Sequence, residues 1–556
     1  MLDGTKVVYA SETERFSKKK HDWDHPFTPL LVFQTRFQSN EAFQLAPFKI
    51  GDIGSHHEHH IYEAFYQSGF KNAAVLVNDG VGAEGDCITL AYIEQGSAPQ
   101  ILETFAVGKA GCVAKKCLIS PCGLYAFAAY SIFGSENAEG KLMGLAAYGK
   151  NNGRAYCSWN NSGQCVDYNA EALISDIEIC DIKQAFRSGA AYDNDKFLAV
   201  CNIAATIQQN FEDTMVGVVK HFKQLLDAAG IQTRNLCLSG GGILNCPTNS
   251  KIVELGFFDN YYASPQPSDG CAESIGRAFY AMHNNGESLK SQRLKSAYLG
   301  ASYSVDSIID DCKPINNPTQ KVAAHLKAGG VVAWYQDGAE YGPRALGHRS
   351  FLADPSAPGM LDALNTIKGR EAWRPLAPVV PKRLFSLLFD AKNTNMCEFM
   401  LRTLPIKQKW KCRLQTVCHK DYSTRPQLLE RSTNPQLYDL LMAYFQQTGT
   451  PCLVNTSLNI NGFPIVETPH DLYNLAEEIT FIEKPIPKVM TVLIDGENFY
   501  EVVVQDSAKR RVPLNISDPP PNEESLEALK QSEEMIAKGK PSRFKNVDEM
   551  FESIKA

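Results

Sequence analysis

Two histidines and two aspartates have the types and positions of ligands for one divalent metal. His56 and His60 lie four residues apart, so on a helix their imidazoles share one face. Asp79 follows the apolar run Ala73–Val77, and α/β folds place ligand-binding carboxylates at the ends of strands. Asp269, in a later turn, could complete a set of nitrogen and oxygen ligands. The alternative is a surface histidine cluster with unrelated acids.

A glycine triplet stands where a predicted strand meets a predicted helix. The strand Leu236–Leu238 runs into Ser239 and then into Gly240, Gly241 and Gly242. Glycines at such a junction let backbone N–H groups approach a phosphate at the N-terminus of the helix. A tight turn explains the same glycines equally well.

Basic residues gather in glycine- and proline-punctuated segments of the second half. They are Arg344, Arg349, Lys368, Arg370 and Arg374. Guanidinium groups bind phosphate oxygens with two hydrogen bonds, so the cluster suits a nucleotide or an acyl phosphate. A structural network of ion pairs is the alternative. Farther on, Ser457 and Asn459 follow the predicted strand Cys452–Val454 and offer hydroxyl and amide groups to a phosphate or a ribose.

The elements that must position these residues alternate in the manner of an α/β domain. The predicted strands are Lys6–Ala10, a hairpin of Ala73–Val77 with Ile88–Ile93, Leu236–Leu238 and Gly330–Tyr335. The predicted helices are a long one over Phe197–Leu226 and a shorter one over Lys321–Ala328. A domain boundary is expected near Ser296–Asp311, and after Pro513 the composition predicts a polar linker with a loosely docked helix.

Length and composition exclude several classes of protein. A chain of 556 residues exceeds what one hydrophobic core usually supports, so two or three domains are expected. The net charge of -7 argues against a nucleic-acid partner, and no apolar stretch is long enough for a membrane span. Sixteen scattered cysteines predict reduced thiols and a cytoplasmic protein.

As a set, these motifs resemble the NodU/CmcH/TobZ O-carbamoyltransferases. The segments that carry the resemblance are His56–His60, Asp79–Gly82, Gly140–Gly149, Ser239–Asn245, Gly342–Ser350, Lys368–Arg370 and Asn455–Asn459. The resemblance covers about Val7 to Val504, in the same order along the chain. It implies an α/β and α+β protein with an actin/sugar-kinase-like N-terminal domain, which is TsaD-like and a duplicated ribonuclease-H-like fold. A YrdC-like C-terminal domain would follow.

The implied domains are residues 1–295 (TsaD-like) and 312–512 (YrdC-like), with a polar extension over 513–556. The second domain would form carbamoyl adenylate from carbamoyl phosphate and ATP. The first would then transfer the carbamoyl group to the hydroxyl of a small-molecule alcohol. A homodimer is an open alternative for the oligomeric state.

The resemblance also implies roles for single residues. His56, His60, Asp79 and Asp269 would bind a divalent metal, Fe2+ by resemblance, with Mg2+ as a second cofactor candidate. Gly240, Gly241, Gly242 and Asn245 would hold the nucleotide, and Lys141 is a candidate to reach a phosphate. Lys368, Arg370, Ser457 and Asn459 match a pattern that grips nucleotide phosphates. Arg344, Arg349 and Arg374 are candidates to neutralise carbamoyl phosphate and the phosphorus centre during adenylation.

The sequence departs from the family pattern at its start. Family members usually begin with a strand and a histidine-containing turn before a segment like Asp3–Ser17, and this chain begins at that segment. We therefore expect either a misassigned start codon or a truncation that weakens transfer. Two alternative functions stay open: a threonylcarbamoyl-type tRNA-modifying enzyme, and a nucleotide-binding descendant without catalysis. The acidic charge and the domain order weigh against the first, and the retained motifs weigh against the second.

Overall fold

The computed structural model describes residues 54–82, 85–106, 120–135, 137–162, 165–180, 182–186, 195–460 and 463–504. The predicted strand Lys6–Ala10, the segment that departs from the family pattern and the extension over 513–556 lie outside the described residues.

The first half alternates strands and helices. The strands are β1 (Asn72–Asn78), β2 (Asp86–Glu94), β3 (Gln100–Ala106), β4 (Cys157–Asn160), β5 (Cys165–Tyr168), β6 (Asn235–Ser239) and β7 (Asn260–Tyr262). The helices are α1 (His56–Tyr66), α2 (Pro121–Phe133), α3 (Glu139–Ala146), α4 (Ala170–Ile179), α5 (Ile182–Ala185), α6 (Asp195–Ala228), α7 (Cys246–Glu254) and α8 (Cys271–Asn284).

Five of these strands form one mixed sheet in the order β3-β2-β1-β6-β7. β1, β2 and β3 are antiparallel neighbours, whereas β6 and β7 continue the sheet parallel to β1. The register pairs Val77 of β1 with Ser239 of β6, so both strands end at the same edge of the sheet. Asp79 and the glycine triplet therefore emerge side by side.

Helix α1 begins at a reciprocal cap that the sequence encodes. The Ser55 hydroxyl accepts a hydrogen bond from the Glu58 backbone N–H, and the Glu58 carboxylate accepts one from the Ser55 backbone N–H. Such a capping box satisfies two N–H groups that the first turn would otherwise leave without partners. The cap fixes the start of the helix one residue before His56.

The second half is built on a larger sheet. Its strands are β8 (Cys312–Pro314), β9 (Val331–Gln336), β10 (Arg349–Ala353), β11 (Ala377–Pro381), β12 (Leu404–Pro405), β13 (Ser423–Thr424), β14 (Gln427–Leu429), β15 (Leu453–Ser457), β16 (Val489–Asp495) and β17 (Asn498–Val502). Its helices are α9 (Pro318–Lys327), α10 (Met360–Ile367), α11 (Phe385–Leu388), α12 (Pro435–Thr448) and α13 (Pro469–Thr480). Eight strands form the sheet in the order β14-β11-β15-β10-β9-β16-β17-β8.

Within the described part of the chain, separate hydrophobic cores support the two large sheets. The second-half core lies between the large sheet and helices α9 and α12, with Trp334 and Tyr444 among its largest buried side chains. The first-half core also takes in residues far along the chain, including Trp373, Phe399 and Leu401. Side chains from the second half therefore complete the packing of the first.

The predicted elements within the described residues are confirmed, with small shifts at their ends. The hairpin is β1 with β2, the long helix is α6, and the later strands are β6, β9 and β15. The helix after the glycine triplet begins later than predicted. A 3-10 turn over Gly241–Leu244 comes first, and α7 starts after Asn245. The domain boundary near Ser296–Asp311 stays a prediction.

Among the described residues, no helix combines the length and the apolar character needed to cross a membrane.

Candidate active site

The four predicted metal ligands converge in the first half. One ligand atom from each of His56, His60, Asp79 and Asp269 lies within 4.8 Å of every other. His56 Nε2 is 3.1 Å from an Asp79 oxygen and 3.2 Å from an Asp269 oxygen, and His60 Nε2 is 3.2 Å from the same Asp269 oxygen. His60 is fully buried whereas the side chain of Asp269 is 62% exposed, so the set opens to solvent on the Asp269 side.

Helix packing accounts for this convergence. Helix α1 carries both histidines on one face and packs against α8, which begins directly after Asp269 and Gly270. A Cβ atom at Gly276 of α8 would lie 1.8 Å from the His59 carbonyl oxygen, so the two helices can approach this closely only with glycine there. Asp79 is fixed by its own backbone N–H, which donates to the Cys87 carbonyl oxygen at 2.8 Å.

The pKa shifts of His56 and Asp269 indicate that the four candidate ligands favour a positive charge at their centre. Hydrogen bonds from His56 and His60 hold the pKa of Asp269 below its usual range. The same contacts, first with Asp269 and then with Asp79, raise the pKa of His56 to about 10. A proton on His56 thus supplies the charge that the carboxylates demand, and a divalent cation that binds the four ligands would displace that proton.

His57 behaves differently although it adjoins His56. Burial lowers the pKa of His57 to about 3, and its Nδ1 atom lies 2.7 Å from the Thr89 hydroxyl. Its ring is therefore neutral and packs into the core rather than joining the ligand set.

Two N–H groups of the glycine triplet donate hydrogen bonds to other groups of the protein. The Gly240 N–H donates to the Pro267 carbonyl at 2.7 Å, and the Gly241 N–H donates to Asp79 Oδ1 at 2.9 Å. Gly240 has φ +96°, and a Cβ atom there would lie 2.3 Å from the Asn78 carbonyl oxygen, so only glycine fits. The Gly241 N–H therefore helps to hold Asp79, and phosphate binding by Gly240 and Gly241 stays a prediction.

Asn245 also has a structural role here. Its side-chain oxygen accepts hydrogen bonds from the Thr248 N–H and hydroxyl, which caps α7, and its amide donates to Gln208 at 3.0 Å. The cap satisfies backbone donors in the first turn of the helix. Nucleotide binding by Asn245 and by Gly242 stays a prediction.

In the second half, the structure brings Lys368 together with Ser457 and Asn459. The Lys368 Nζ atom lies 3.0 Å from the Ser457 hydroxyl and 2.8 Å from the Asn459 side-chain oxygen. Burial, reinforced by the charges of Arg370 and Arg374, lowers the pKa of Lys368 to about 6. Burial removes water from the Lys368 amine, and among the described residues no anion contributes to its pKa by stabilising the charged form. A bound phosphate would stabilise that charged form.

Four arginines surround this lysine, and together they form what we call the cation cluster: Lys368, Arg370, Arg374, Arg344 and Arg425. Burial and then the charge of Arg374 lower the pKa of Arg370 to about 9. Burial and then the charge of Arg425 lower the pKa of Arg344 to about 10. The Nε atoms of Arg344 and Arg425 are buried and have no hydrogen-bond partner among the described residues. Buried donors facing like charges point to an anionic ligand.

Arg349 does not join the cation cluster, although the sequence motif places it five residues after Arg344. It is fully buried, and it donates from Nε to Val466, from Nη1 to Gln336 and His348, and from Nη2 to Glu467, each time to a backbone carbonyl. Its guanidinium also stacks on the Tyr335 ring at 3.6 Å. The geometry makes Arg349 a brace of the sheet, so we leave it out of the proposed phosphate site.

Lys141 lies between the two halves rather than beside the glycine triplet. Its ammonium group is 2.9 Å from Glu371, which also lies 3.6 Å from Arg374. The hydrogen bond from Lys141 lowers the pKa of Glu371, although burial alone would raise it. Lys141 therefore contacts the edge of the cation cluster through one shared carboxylate.

Two candidate functional residues, Arg425 and Glu63, were not predicted from the sequence. Arg425 stands in a short Ser-Thr-Arg-Pro segment without any motif, and only the fold brings it to Arg344 and Arg370. Glu63 is a fully buried acid on α1 between apolar neighbours. Glu63 is an acid at a core position, three residues after His60, and acids are rarely buried in a core without a reason. That position is the sequence signal that could have revealed Glu63.

Comparison with known proteins identifies the class of this bipartite arrangement. The carbamoyltransferase N-terminus family matches residues 48–279, and the carbamoyltransferase C-terminus family matches residues 323–483. The first match covers all four candidate metal ligands, and the second covers all five residues of the cation cluster. The chain therefore belongs to the carbamoyltransferase family and is an enzyme that transfers carbamoyl groups.

Several curated relatives share this relationship. Nodulation protein NolNO of Sinorhizobium fredii is 29% identical over 84% of this chain and 68% of its own length. The 3'-hydroxymethylcephem-O-carbamoyltransferase of Amycolatopsis lactamdurans is 31% identical over 60% of this chain and 61% of its own length. Nodulation protein U of Rhizobium tropici is 35% identical over 41% of this chain and 39% of its own.

Solved structures give weaker matches. E. coli YciO matches at 13% identity and TM-score 0.23, over 35% of this chain and 95% of its own. HypF of T. kodakarensis matches at 14% identity and TM-score 0.24, over 42% of this chain and 37% of its own. Likenesses at this level do not define the fold, which is established here only as mixed α/β sheets.

Proposed function

We propose that this protein is an ATP-dependent O-carbamoyltransferase with two sites. Carbamoyl adenylate forms at the cation cluster of the second half. The carbamoyl group then passes to the hydroxyl of a small-molecule alcohol at the metal-ligand set of the first half. The name of the Amycolatopsis relative, which specifies a hydroxymethyl acceptor, supports a hydroxyl as the acceptor group.

The cation cluster suits the first reaction because its charge matches that of the reactants. Water releases carbamate and phosphate from carbamoyl phosphate. A carbamate oxygen then attacks the α-phosphorus of ATP, and pyrophosphate leaves, so the balance consumes one water molecule. Negative charge accumulates on the transferring oxygens, where Lys368, Arg370 and Arg374 would stabilise it. Arg344 and Arg425, with their unpaired Nε donors, would hold a second anionic group.

The first-half set fits a divalent metal. Two imidazole nitrogens and two carboxylate oxygens within 4.8 Å form a donor set that suits a transition metal such as Fe2+ better than Mg2+, which prefers oxygen ligands. Mg2+ would instead accompany the ATP phosphates. A metal bound by His56, His60, Asp79 and Asp269 would polarise the carbamoyl carbonyl as a Lewis acid. The chain's part is to orient the adenylate beside the acceptor hydroxyl.

The same proposal extends to the domains and the compartment. The mixed order β3-β2-β1-β6-β7 supports a TsaD-like first domain over 1–295, and the eight-stranded sheet supports a YrdC-like second domain over 312–512. Buried free thiols such as Cys237 and Cys452 favour a reducing compartment, the cytoplasm. We expect no nucleic-acid partner.

The observation that carries the proposal is the coexistence of two opposite sites in one carbamoyltransferase chain. One gathers carboxylates and imidazoles for a cation, and the other gathers one buried lysine and four partly buried arginines for anions. The test is exchange of labelled pyrophosphate into ATP by the purified protein. We expect exchange with carbamoyl phosphate present and none without it. Exchange that ignores carbamoyl phosphate would contradict the adenylation step.

A further inference from the structure

A buried hydrogen-bond chain lies behind the candidate metal ligand His60. His60 Nε2 faces Asp269, and its other ring nitrogen, Nδ1, lies 2.9 Å from the Ser239 hydroxyl oxygen. The hydroxyl in turn lies 3.4 Å from a Glu63 carboxylate oxygen and 3.2 Å from the Pro267 carbonyl oxygen. His60, Ser239 and Glu63 are all fully buried.

The geometry fixes the direction of these hydrogen bonds once Nε2 is used as a ligand. The proton of a neutral imidazole must then sit on Nδ1 and be donated to the Ser239 oxygen. The Ser239 hydroxyl keeps its own proton, which is directed toward an oxygen of the Glu63 carboxyl group and the Pro267 carbonyl oxygen. Both acceptors therefore orient the hydroxyl so that its lone pairs face His60.

Glu63 has a second contact with Gln67 at the end of the same helix, and Gln67 in turn contacts the second half of the chain. The Gln67 amide donates to Glu63 at 3.3 Å, and the Tyr341 hydroxyl donates to the Gln67 oxygen at 2.9 Å. The hydrogen-bond partners of Glu63 are neutral, and burial raises its pKa to about 8. A carboxyl group kept at such a position is costly to bury, so packing alone does not account for it.

We propose that Ser239, held in place by Glu63, is a positioning residue that fixes the tautomer and orientation of His60 for metal binding. This inference rests on the metal site of the proposed function. Groups that hold the second nitrogen of a ligating histidine commonly change metal affinity when they are removed. Here a neutral hydroxyl contacts the histidine directly, and the carboxylate acts one residue farther away.

The same glycine-rich segment then braces two ligands from two different elements. Ser239 holds His60 of α1, and the next-but-one residue, Gly241, holds Asp79 after β1 through its N–H group. The segment predicted to cradle a phosphate is thus built as an outer support for the ligand set. The two contacts would make the set rigid before a metal arrives.

The experiment measures Co2+ binding by the full-length protein, both by equilibrium dialysis and by the visible absorption of the bound ion. We expect Ser239→Ala to weaken Co2+ binding about 10- to 100-fold and to change the absorption spectrum. Glu63→Ala should weaken binding less. Glu63→Gln, whose amide oxygen still accepts from the Ser239 hydroxyl, should recover most of the affinity lost in Glu63→Ala.

Ser68→Ala is the matched control, because it also removes a buried hydroxyl near α1. Ser68 donates to the Phe65 carbonyl and has no contact with His60. We expect this variant to keep wild-type Co2+ affinity. Wild-type affinity and spectrum in a folded Ser239→Ala protein would overturn the positioning role alone. A wild-type protein that binds no Co2+ would overturn the metal site and this inference together.

Discussion

The two candidate sites differ in how the fold controls charge. In the first half, two carboxylates face two imidazoles. The Ser239 hydroxyl holds His60, and the Gly241 backbone N–H holds Asp79. In the second half, five cations crowd together, with Glu371 as the acid that touches the cluster's edge. One site is prepared for a cation and the other for anions. Under the proposed function, the two sites would bind different ligands and serve two successive steps of one carbamoyl transfer.

Side chains of the first half contact the segment that bears Arg370 and Arg374. Lys141 on α3 reaches Glu371, and the Tyr148 hydroxyl on the segment after α3 donates to the Trp373 carbonyl at 2.9 Å. Trp373 itself packs in the first-half core. The segment that bears Arg370 and Arg374 is therefore seated on the first half, so the cation cluster depends on both halves for its shape.

The largest effect is expected from removal of a cation at the centre of the second site. Lys368→Ala and Arg370→Ala should each lower pyrophosphate exchange by about 100- to 1,000-fold, because both groups stabilise charge that grows during adenylation. Lys382→Ala serves as the control, since Lys382 is an exposed lysine paired with Glu430. Undiminished exchange in the Arg370→Ala protein would remove the second half from the mechanism.

Removal of a metal ligand should impair carbamoyl transfer and spare pyrophosphate exchange. His56→Ala, His60→Ala and Asp269→Ala should each lose bound metal and at least about 100-fold of carbamoyl transfer, since one lost ligand opens the coordination sphere and misplaces the adenylate. Pyrophosphate exchange should remain largely intact because adenylation takes place at the other site. The two activities and the metal content are measured on the same preparations, and a parallel loss of exchange would refute the division.

Arg349 and Arg425 should respond differently to substitution, although both lie in the second half. Arg425→Ala should lower exchange about tenfold or more with little change in thermal stability, because its Nε has no structural partner. Arg349→Ala should instead destabilise the fold by about 2–5 kcal/mol, since it strands the carbonyls of Val466, Gln336 and Glu467. Exchange per folded molecule and urea unfolding separate the two effects. Similar behaviour of both variants would show that the assignment of Arg349 is wrong.

The contrast between these arginines also shows what sequence reasoning could achieve. The positions of His56 and His60 follow from helical spacing, which is a local property, and Asp79 follows from the end of a strand. The roles of Arg344 and Arg349 depend on the pairing of β10 with β9, which sets Arg349 opposite Tyr335. No local sequence pattern encodes that register, so the sequence predicted phosphate binding for both arginines. The structure keeps Arg344 in the cation cluster and leaves Arg349 out of it.

Long-range contacts account for the other differences. Arg425 reaches the cluster only through the packing of β13 and β14, and Ser239 reaches His60 only through the pairing of β6 with β1. The glycine triplet was predicted to hold a phosphate because its strand-to-helix position is typical of such loops. The observed hydrogen bonds to Pro267 and Asp79 occupy two of its donors instead.

The smallest effect we expect concerns a single proton on Lys368. Its pKa of about 6 lies below the ordinary lysine value, so at pH 8 the free protein holds it mostly neutral. Bound phosphate stabilises the charged form and raises that pKa, so ATP binding at pH 8 should take up close to one proton. By linkage, affinity should fall as the pH rises above about 6, by at most about tenfold per pH unit. Calorimetry in buffers of different ionisation enthalpy measures the uptake.

Lys368→Arg is the decisive companion to that measurement. A guanidinium group stays charged at pH 8, so this variant should bind ATP without taking up the proton, even if its affinity is lower. Equal proton uptake in the wild-type and Lys368→Arg proteins would mean that another group titrates. In that case Lys368 does not meet the nucleotide phosphates, and the hydrogen bonds to Ser457 and Asn459 would be structural.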